Sequence, residues 1–355
     1  MANELHFGLV VGIWRYPGGY AELQGPRNDA VAFARWLVDP DGGGLPEDNV
    51  LLCLSPREGE MTLRTAEPTK AHIDLALDEL RRQAWETFEA LPEGERADAP
   101  ASARLYIYVA GHGVMPDGGS AALLDAVARP GGTSHLDLGK YAQWLERDGT
   151  FGEVVIFADC CRNYEPLVEA RGPDLDKSAE LGVRVFQLLG YATTGGALSR
   201  EDTARFDPEI PADERRGYFS RALVEGLEGA AVHPASGHVT PQRLHEYVRA
   251  KVRERTGHRP AHQRQDVDTV VNLAHEMTFG PKRAVVRYAV TLHFPPDVAA
   301  DVALVAPDGN RMWWQTMDGP WRVRLYDGLW HVEPGDGLAD DGAFAVSGAG
   351  RDVHL

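Results

Sequence analysis

Three short apolar runs constrain this chain most: residues 5–13, 104–110 and 153–158. None alternates cleanly between apolar and polar positions, which is how strands covered on both faces read. Helical patterns lie between them. One starts at Asn28, a residue able to cap it, and carries Ala30, Phe33, Ala34 and Leu37 on one face. Another follows Pro68-Thr69 with Ile73, Leu77, Leu80 and Ala84. Further helices are expected at 136–147, 219–227 and 240–254, with a strand at 183–192 between the first and the other two. Strand alternating with helix predicts an α/β domain built on a mainly parallel sheet with helices on both faces.

The pattern changes beyond Gly280-Pro281-Lys282. Val286, Tyr288, Val290 and Leu292 alternate with polar neighbours, and Trp321, Val323 and Leu325 repeat this against Arg322 and Arg324. Pro307-Asp308-Gly309-Asn310 and Asp327-Gly328 are hairpin turns. The chain therefore divides into a domain over 1–280 and a small C-terminal antiparallel β domain, of sandwich type, over 283–355. Polar stretches at 91–103 and 164–181 read as exposed loops.

With 36 Lys+Arg against 53 Asp+Glu, the net charge is −17. Such a chain suits a basic partner and not the phosphate backbone of a nucleic acid. The start lacks the basic region of a signal peptide, and no apolar run reaches the roughly 20 residues that cross a bilayer. Three Cys cannot form a disulfide framework, so free thiols and a cytoplasmic location are expected.

In an open α/β sheet, function gathers past the carboxyl ends of the strands. The 104–110 run leads into Gly111-His112-Gly113, and the 153–158 run into Asp159-Cys160-Cys161-Arg162-Asn163. If these strands are neighbours, an imidazole and a thiol emerge on one edge. A thiol with a pKa of about 8.5 is mostly protonated at neutral pH, so it needs a base beside it. His112 can take that proton and later return it to a leaving amine. Glycines around it leave room for a substrate carbonyl and expose amide donors. Taken singly, each residue has a plainer reading: a small buried hydrophobe for the Cys and a structural role for the His. Cys53, inside Val50-Leu51-Leu52-Cys53-Leu54, is of that plain kind.

Tyr108-Val109-Ala110-Gly111-His112-Gly113 and Phe157-Ala158-Asp159-Cys160-Cys161-Arg162-Asn163 resemble the His and Cys boxes of caspase-like cysteine peptidases, the metacaspase and prokaryotic branch above all. The separation of 49 positions from His112 to Cys161 matches a spacing already familiar for caspases. Leu23-Gln24-Gly25-Pro26-Arg27-Asn28-Asp29-Ala30 and Gly217-Tyr218-Phe219-Ser220-Arg221-Ala222-Leu223 extend the likeness over about residues 5–275. The resemblance implies Cys161 as nucleophile, His112 as base, and the amides of Gly113 and Cys161 as an oxyanion hole. Cys160 fills a packing slot.

Asp29 and Asp159 stand where the family places its S1 pocket. Two carboxylates there would hold a guanidinium and repel an Asp side chain, which implies cleavage after Arg or Lys. The plainer readings are a first-turn helix carboxylate for Asp29 and a turn residue for Asp159. The resemblance further implies a protein or peptide substrate with a basic cleavage site, in regulated proteolysis or bacterial defence. Alternatives are a catalytically silent scaffold or adaptor of the same fold, and an acyltransferase or non-peptide hydrolase using the same pair.

Other signals are weaker. His233, His238, His245, His258 and His262 lack metal-ligand spacing, and no phosphate loop occurs. No cofactor is expected. Asp117, Asp125 and Asp137 could bind calcium, as some metacaspases require, although solvated loop charge accounts for them more simply. Arg171 and Lys177, in the 164–181 loop, could be sites of self-cleavage. Trp313 and Trp314, adjacent on a strand, must face opposite ways, leaving one as an anchor for a regulatory partner at the C-terminal domain.

Overall fold

The computed structural model describes residues 3–117, 120–132, 134–176, 183–203, 207–272, 277–294, 301–307, 309–315, 319–333 and 342–354. They form two compact units, one over Met1–Ala231 with Val239–Pro281, the other over Val232–His238 with Lys282–Leu355. The second unit thus takes in a short segment, Val232–His238, that lies before the expected boundary.

In the first unit, strands β1 (His6–Gly12), β2 (Val50–Leu54), β3 (Arg104–Ala110), β7 (Glu153–Asp159), β9 (Phe186–Tyr191) and β10 (Asp268–Asn272) make a six-stranded sheet ordered β10-β9-β7-β3-β1-β2. All neighbours are parallel except β10, which runs antiparallel to β9 at one edge. The sheet is covered on both sides, which explains the missing alternation. Alternate residues (Phe7, Leu9 and Val11; Leu105, Ile107 and Val109; Val154 and Ile156) join a core with Ile73, Leu77, Leu80 and Phe88 of α2 (Lys70–Ala90) and Tyr141 and Leu145 of α5 (Leu138–Asp148). On the opposite face, Phe33 of α1 (Gly25–Val38) stacks on Tyr108 at 4.8 Å and meets Phe157 edge-on at 5.9 Å. Each such fully buried side chain contributes about 1.5–3 kcal/mol.

Several boundaries differ from expectation. Helix α1 begins at Gly25, because Pro26 suits a first turn that needs no donor there. Asn28 is therefore inside the helix and does not cap it; its side chain donates to the Asp213 and Arg215 carbonyls, both at 2.9 Å. The 91–103 stretch holds two single-turn helices, α3 (Glu93–Arg96) and α4 (Ala99–Ser102), with Ala99 and Ala103 buried. The remaining helices are α6 (Tyr218–Glu225) and α7 (Pro241–Thr256). A second sheet, in the order β6-β5-β4-β8, unites β4 (Gly113–Asp117), β5 (Ala122–Leu124), β6 (His135–Asp137) and β8 (Asn163–Glu169). The 164–181 stretch is thus a paired strand at its start; 177–182 lie outside the described residues.

The second unit has two sheets, β14-β11-β17 and β13-β12-β15-β16, formed by β11 (Tyr288–His293), β12 (Asp301–Val305), β13 (Arg311–Gln315), β14 (Trp321–Leu325), β15 (Gly328–Glu333), β16 (Gly342–Val346) and β17 (Arg351–His354). They enclose one core including Leu292, Leu304, Trp330 and Phe344. One pairing departs from the antiparallel expectation: β11 runs parallel to β17. Trp313 is 67 % exposed, while Trp314 stacks on Trp321 at 5.5 Å.

Candidate active site

The register of β3 with β7 sets Ala110 opposite Asp159. His112 lies two residues beyond one strand end and Cys161 two beyond the other, at the carboxyl edge of the sheet. Gly113 closes the gap between the two loops. A Cβ there would come 2.6 Å from the Cys161 carbonyl oxygen and 2.7 Å from Cys160 Cβ, so the chain passes only where the residue has no side chain. Leu124 N–H donates to the His112 carbonyl while Gly113 pairs with Leu123, which leaves the Gly113 amide outside the β4–β5 ladder.

His112 is held from three sides. Its backbone N–H donates to Tyr16 Oη at 2.8 Å, and its ring lies against Tyr16 and Tyr20 at 4.9 and 5.4 Å. Its Nε2 is 2.8 Å from the Ala21 carbonyl. A carbonyl only accepts, so Nε2 carries the hydrogen and the neutral ring keeps its lone pair on Nδ1. Burial pushes the imidazole pKa down, with the Ala21 carbonyl opposing.

The Cys161 thiol donates to the Ser199 carbonyl at 3.8 Å. Burial pushes its pKa up; Asp159 and Glu201 add to the effect and Arg200 counters it. Both shifts favour the uncharged thiol and imidazole over a thiolate–imidazolium pair. The two side chains do not bond each other; each is tied to a backbone carbonyl. Cys160 is buried and packs, as expected of that slot.

A cleft of about 370 Å³ is lined by His112, Gly113, Cys161, Asp29, Asp159 and Glu201, together with Tyr20, Asn163, Glu165, Ser199, Arg200 and Gly217. Every site residue expected from the sequence therefore lines one cavity. Asp29 is 1 % exposed and Asp159 8 %. Because α1 starts at Gly25, Asp29 falls beyond the first turn, and the reading of it as a first-turn carboxylate fails. It accepts from Arg216 Nε at 2.9 Å and the Gly217 amide at 2.8 Å. Asp159 accepts from the hydroxyls of Ser199 and Ser220, both at 2.5 Å. Gly217 separates the two acids: a Cβ would fall 2.0 Å from Asp159 Oδ2. Burial pushes both carboxyl pKa values up, and Asp159 raises Asp29 further.

Glu201, Ser199, Ser220 and Arg216 were not singled out in the sequence. Glu201 is the third carboxylate of the cleft; it accepts from the Gln24 and Gly25 amides (the latter at 2.7 Å), and burial raises its pKa too. One signal could have found it: β9 ends at the same sheet edge, so the loop after it arrives at the same place.

The three acids weighed as calcium ligands are engaged by the chain itself. Asp125 accepts from Lys70 N, Val127 N and Ser134 Oγ; Asp137 caps α5 through Lys140 N; Asp117 accepts from Tyr164 Oη. Asp125 and Asp137 are 1 % exposed, not solvated loop charge. Among the described residues no three His, Cys, Asp or Glu gather as a metal site. Nor is any described helix long and apolar enough to cross a membrane. Arg171 gives its carbonyl to Asp137 N, and Asp174 and Leu175 are bonded to Lys70 and Trp144, so the segment after β8 is docked. Lys177 lies outside the described residues.

A protein described as a probable protease, from a Desulfuromonadales bacterium, is 27 % identical over 242 residues, 63 % of this chain and 26 % of that protein. The chain thus spans about a quarter of that relative's length. The crystal structure of caspase-1 from Spodoptera frugiperda is 13 % identical and superposes with a TM-score of 0.48 over 79 % of this chain and 94 % of that one. The caspase-domain family model matches residues 6–272. Matched over most of its length, the chain belongs to the caspase family of cysteine peptidases.

Proposed function

We propose that the chain is a cysteine endopeptidase that cuts after Arg, with Lys as second choice, through a thioester on Cys161. The supporting observation is the shared cleft: two buried carboxylates and a half-buried third in one cavity with a thiol, and an imidazole whose Nδ1 lone pair has no partner among the described residues. Buried anions with raised pKa values gain most from a guanidinium, which restores by charge-assisted hydrogen bonds what burial removed.

With Arg seated there, the scissile carbonyl lies at Cys161. His112 Nδ1 takes the thiol proton as sulfur adds to the carbonyl carbon. The oxygen gathers negative charge and is met by the amides of Gly113 and Cys161. The imidazolium gives its proton to the leaving nitrogen, the C–N bond breaks, and a thioester remains. Water, deprotonated by the same ring, hydrolyses it and the thiol is restored. With the uncharged pair favoured, the proton moves only once substrate has closed the cleft to water.

The test is turnover of reporters ending in Arg, Lys or Asp by wild type and Cys161→Ala, with labelling by an electrophilic Arg peptide. Cleavage after Arg, labelling at Cys161 and loss of both in the variant are expected. Cleavage after Asp alone would overturn the specificity. Absence of labelling would favour the silent scaffold, and turnover of esters without peptides would favour another acyl transfer. For the second unit the proposed role is recognition of a regulatory partner or protein substrate, supported by exposed Trp313 on the edge strand β13. Trp313→Ala is expected to slow cleavage of a folded protein substrate and leave short reporters untouched; unchanged rates on both would remove that role.

A further inference from the structure

The three acids of the pocket leave a fourth carboxylate of the cleft unexplained. Glu165 lies on β8, whose start follows Cys161 by two residues. Side chains alternate along a strand, so Asn163 and Glu165 share a face, and both line the cleft. Tyr164 points the other way and donates its hydroxyl to Asp117 at 3.1 Å. The Glu165 side chain is exposed, and among the described residues it makes no ion pair or side-chain hydrogen bond.

Its neighbours show which part of the cleft it serves. Glu165 pairs with Pro116 of β4, the strand that leaves His112, and lines the cleft together with Tyr20. Tyr20 in turn lies against the His112 ring at 5.4 Å. Glu165 is therefore on the imidazole side of the thiol. In the mechanism above, His112 hands its proton to the leaving amine, so that nitrogen must come within hydrogen-bond reach of the ring. The side chain of the first residue after the cut branches one bond from that nitrogen. It therefore emerges beside Tyr20 and Glu165.

We propose that Glu165 is a specificity-determining residue that favours a basic side chain immediately after the scissile bond. The inference rests on the proposed peptidase reading but not on its Arg preference. A free carboxylate attracts Lys or Arg and repels Asp or Glu, whereas the anions of the acid pocket act on the residue before the bond. Glu165 touches none of the reacting atoms.

The experiment is a peptide series varied only at the position after the cut, with Lys, Arg, Ala, Asp and Glu. It uses full-length wild type, Glu165→Gln and Glu165→Lys, at low and high salt. The residue before the cut is whichever one the wild type accepts, so a failed Arg preference leaves the result readable. A basic residue is expected to raise kcat/KM about two- to fivefold over Ala, as for an exposed charge pair, mainly through KM. Glu165→Gln should flatten the series and Glu165→Lys invert it, with the preference before the cut unchanged. High salt should shrink the wild-type preference. A flat wild-type series, or a preference that survives Glu165→Lys, overturns the inference and leaves the peptidase reading intact. Absence of any peptide cleavage overturns both. Equal melting temperatures of the three proteins separate a charge effect from misfolding.

Discussion

Two groups of acids in the first unit are built differently. On the α2–α5 side, Asp74 meets Lys70 at 2.6 Å, and Asp148, fully buried, meets Arg81 at 2.6 Å and Thr150 Oγ1 at 2.6 Å. Arg81 also lies over the Trp144 ring at 4.8 Å. Both acids there meet a cation, although Lys70 also serves Asp174 and Arg81 also serves Asp78. In the cleft, Asp29, Asp159 and Glu201 share one ion pair, that of Asp29 with Arg216, and rely otherwise on hydroxyls and amides. The first arrangement is what a fold needs to keep a charge inside; the second leaves an excess of negative charge facing a cavity. Burial alone does not mark a functional acid, and neither does the lack of a cation, since Asp125 and Asp137 are buried on amides and a hydroxyl alone. What sets Asp29, Asp159 and Glu201 apart is that they line one cleft with the thiol and the imidazole.

The largest effect that would break this contrast is on stability. Asp148→Ala takes from Arg81 its buried partner, leaving only the exposed Asp78, and is expected to cost about 3 kcal/mol in chemical denaturation, with the residue preferred before the cut unchanged. Asp159→Asn should do the opposite. It is expected to lower kcat/KM on Arg substrates about a hundredfold, or about 2.7 kcal/mol, while the melting temperature stays level or rises. The sign follows from linkage: a carboxyl whose pKa is raised by folding costs stability as pH climbs from its ordinary range through the raised value, and Asn removes the charge. If Asp159→Asn unfolds the protein, the two sets of acids are of one kind.

A guanidinium that favours the charged carboxylates must expel the protons that burial encourages them to hold. Affinity for an Arg-derived inhibitor is therefore expected to weaken as pH falls from neutral, with proton release visible by calorimetry in two buffers of different ionisation enthalpy. A flat affinity with no proton release would sink the account. The smallest effect concerns the reactive pair. Alkylation of Cys161 by iodoacetamide should keep rising past pH 9, because burial raises the thiol. A plateau near neutrality would mean a thiolate–imidazolium pair instead.

How much of this the sequence disclosed follows from what each residue does. The central strands were legible because burial on both faces leaves unbroken apolar runs such as Arg104–Ala110. The β4-β5-β6-β8 sheet was not, since β5 and β6 are three residues each, too short to show a period. Strand β10 was missed because an edge strand, Asp268–Asn272, keeps polar residues and exposes Val270. Asp29, Asp159, His112 and Cys161 stood out because they adjoin strands or motifs. Glu201 sits in an irregular loop, where no periodicity announces it, and only the fold brings it to the other two acids.

The bond from His112 Nε2 to the Ala21 carbonyl has a consequence for how this centre varies. Where an aspartate or asparagine orients a histidine, exchange of that one side chain disorients the ring. Here the orienting oxygen belongs to the main chain, and every amino acid supplies it. Point changes at position 21 leave it in place, whereas an insertion or deletion that reroutes residues 13–23 carries it away. The histidine's alignment is thus written in the length of a loop, out of reach of most single-codon exchanges.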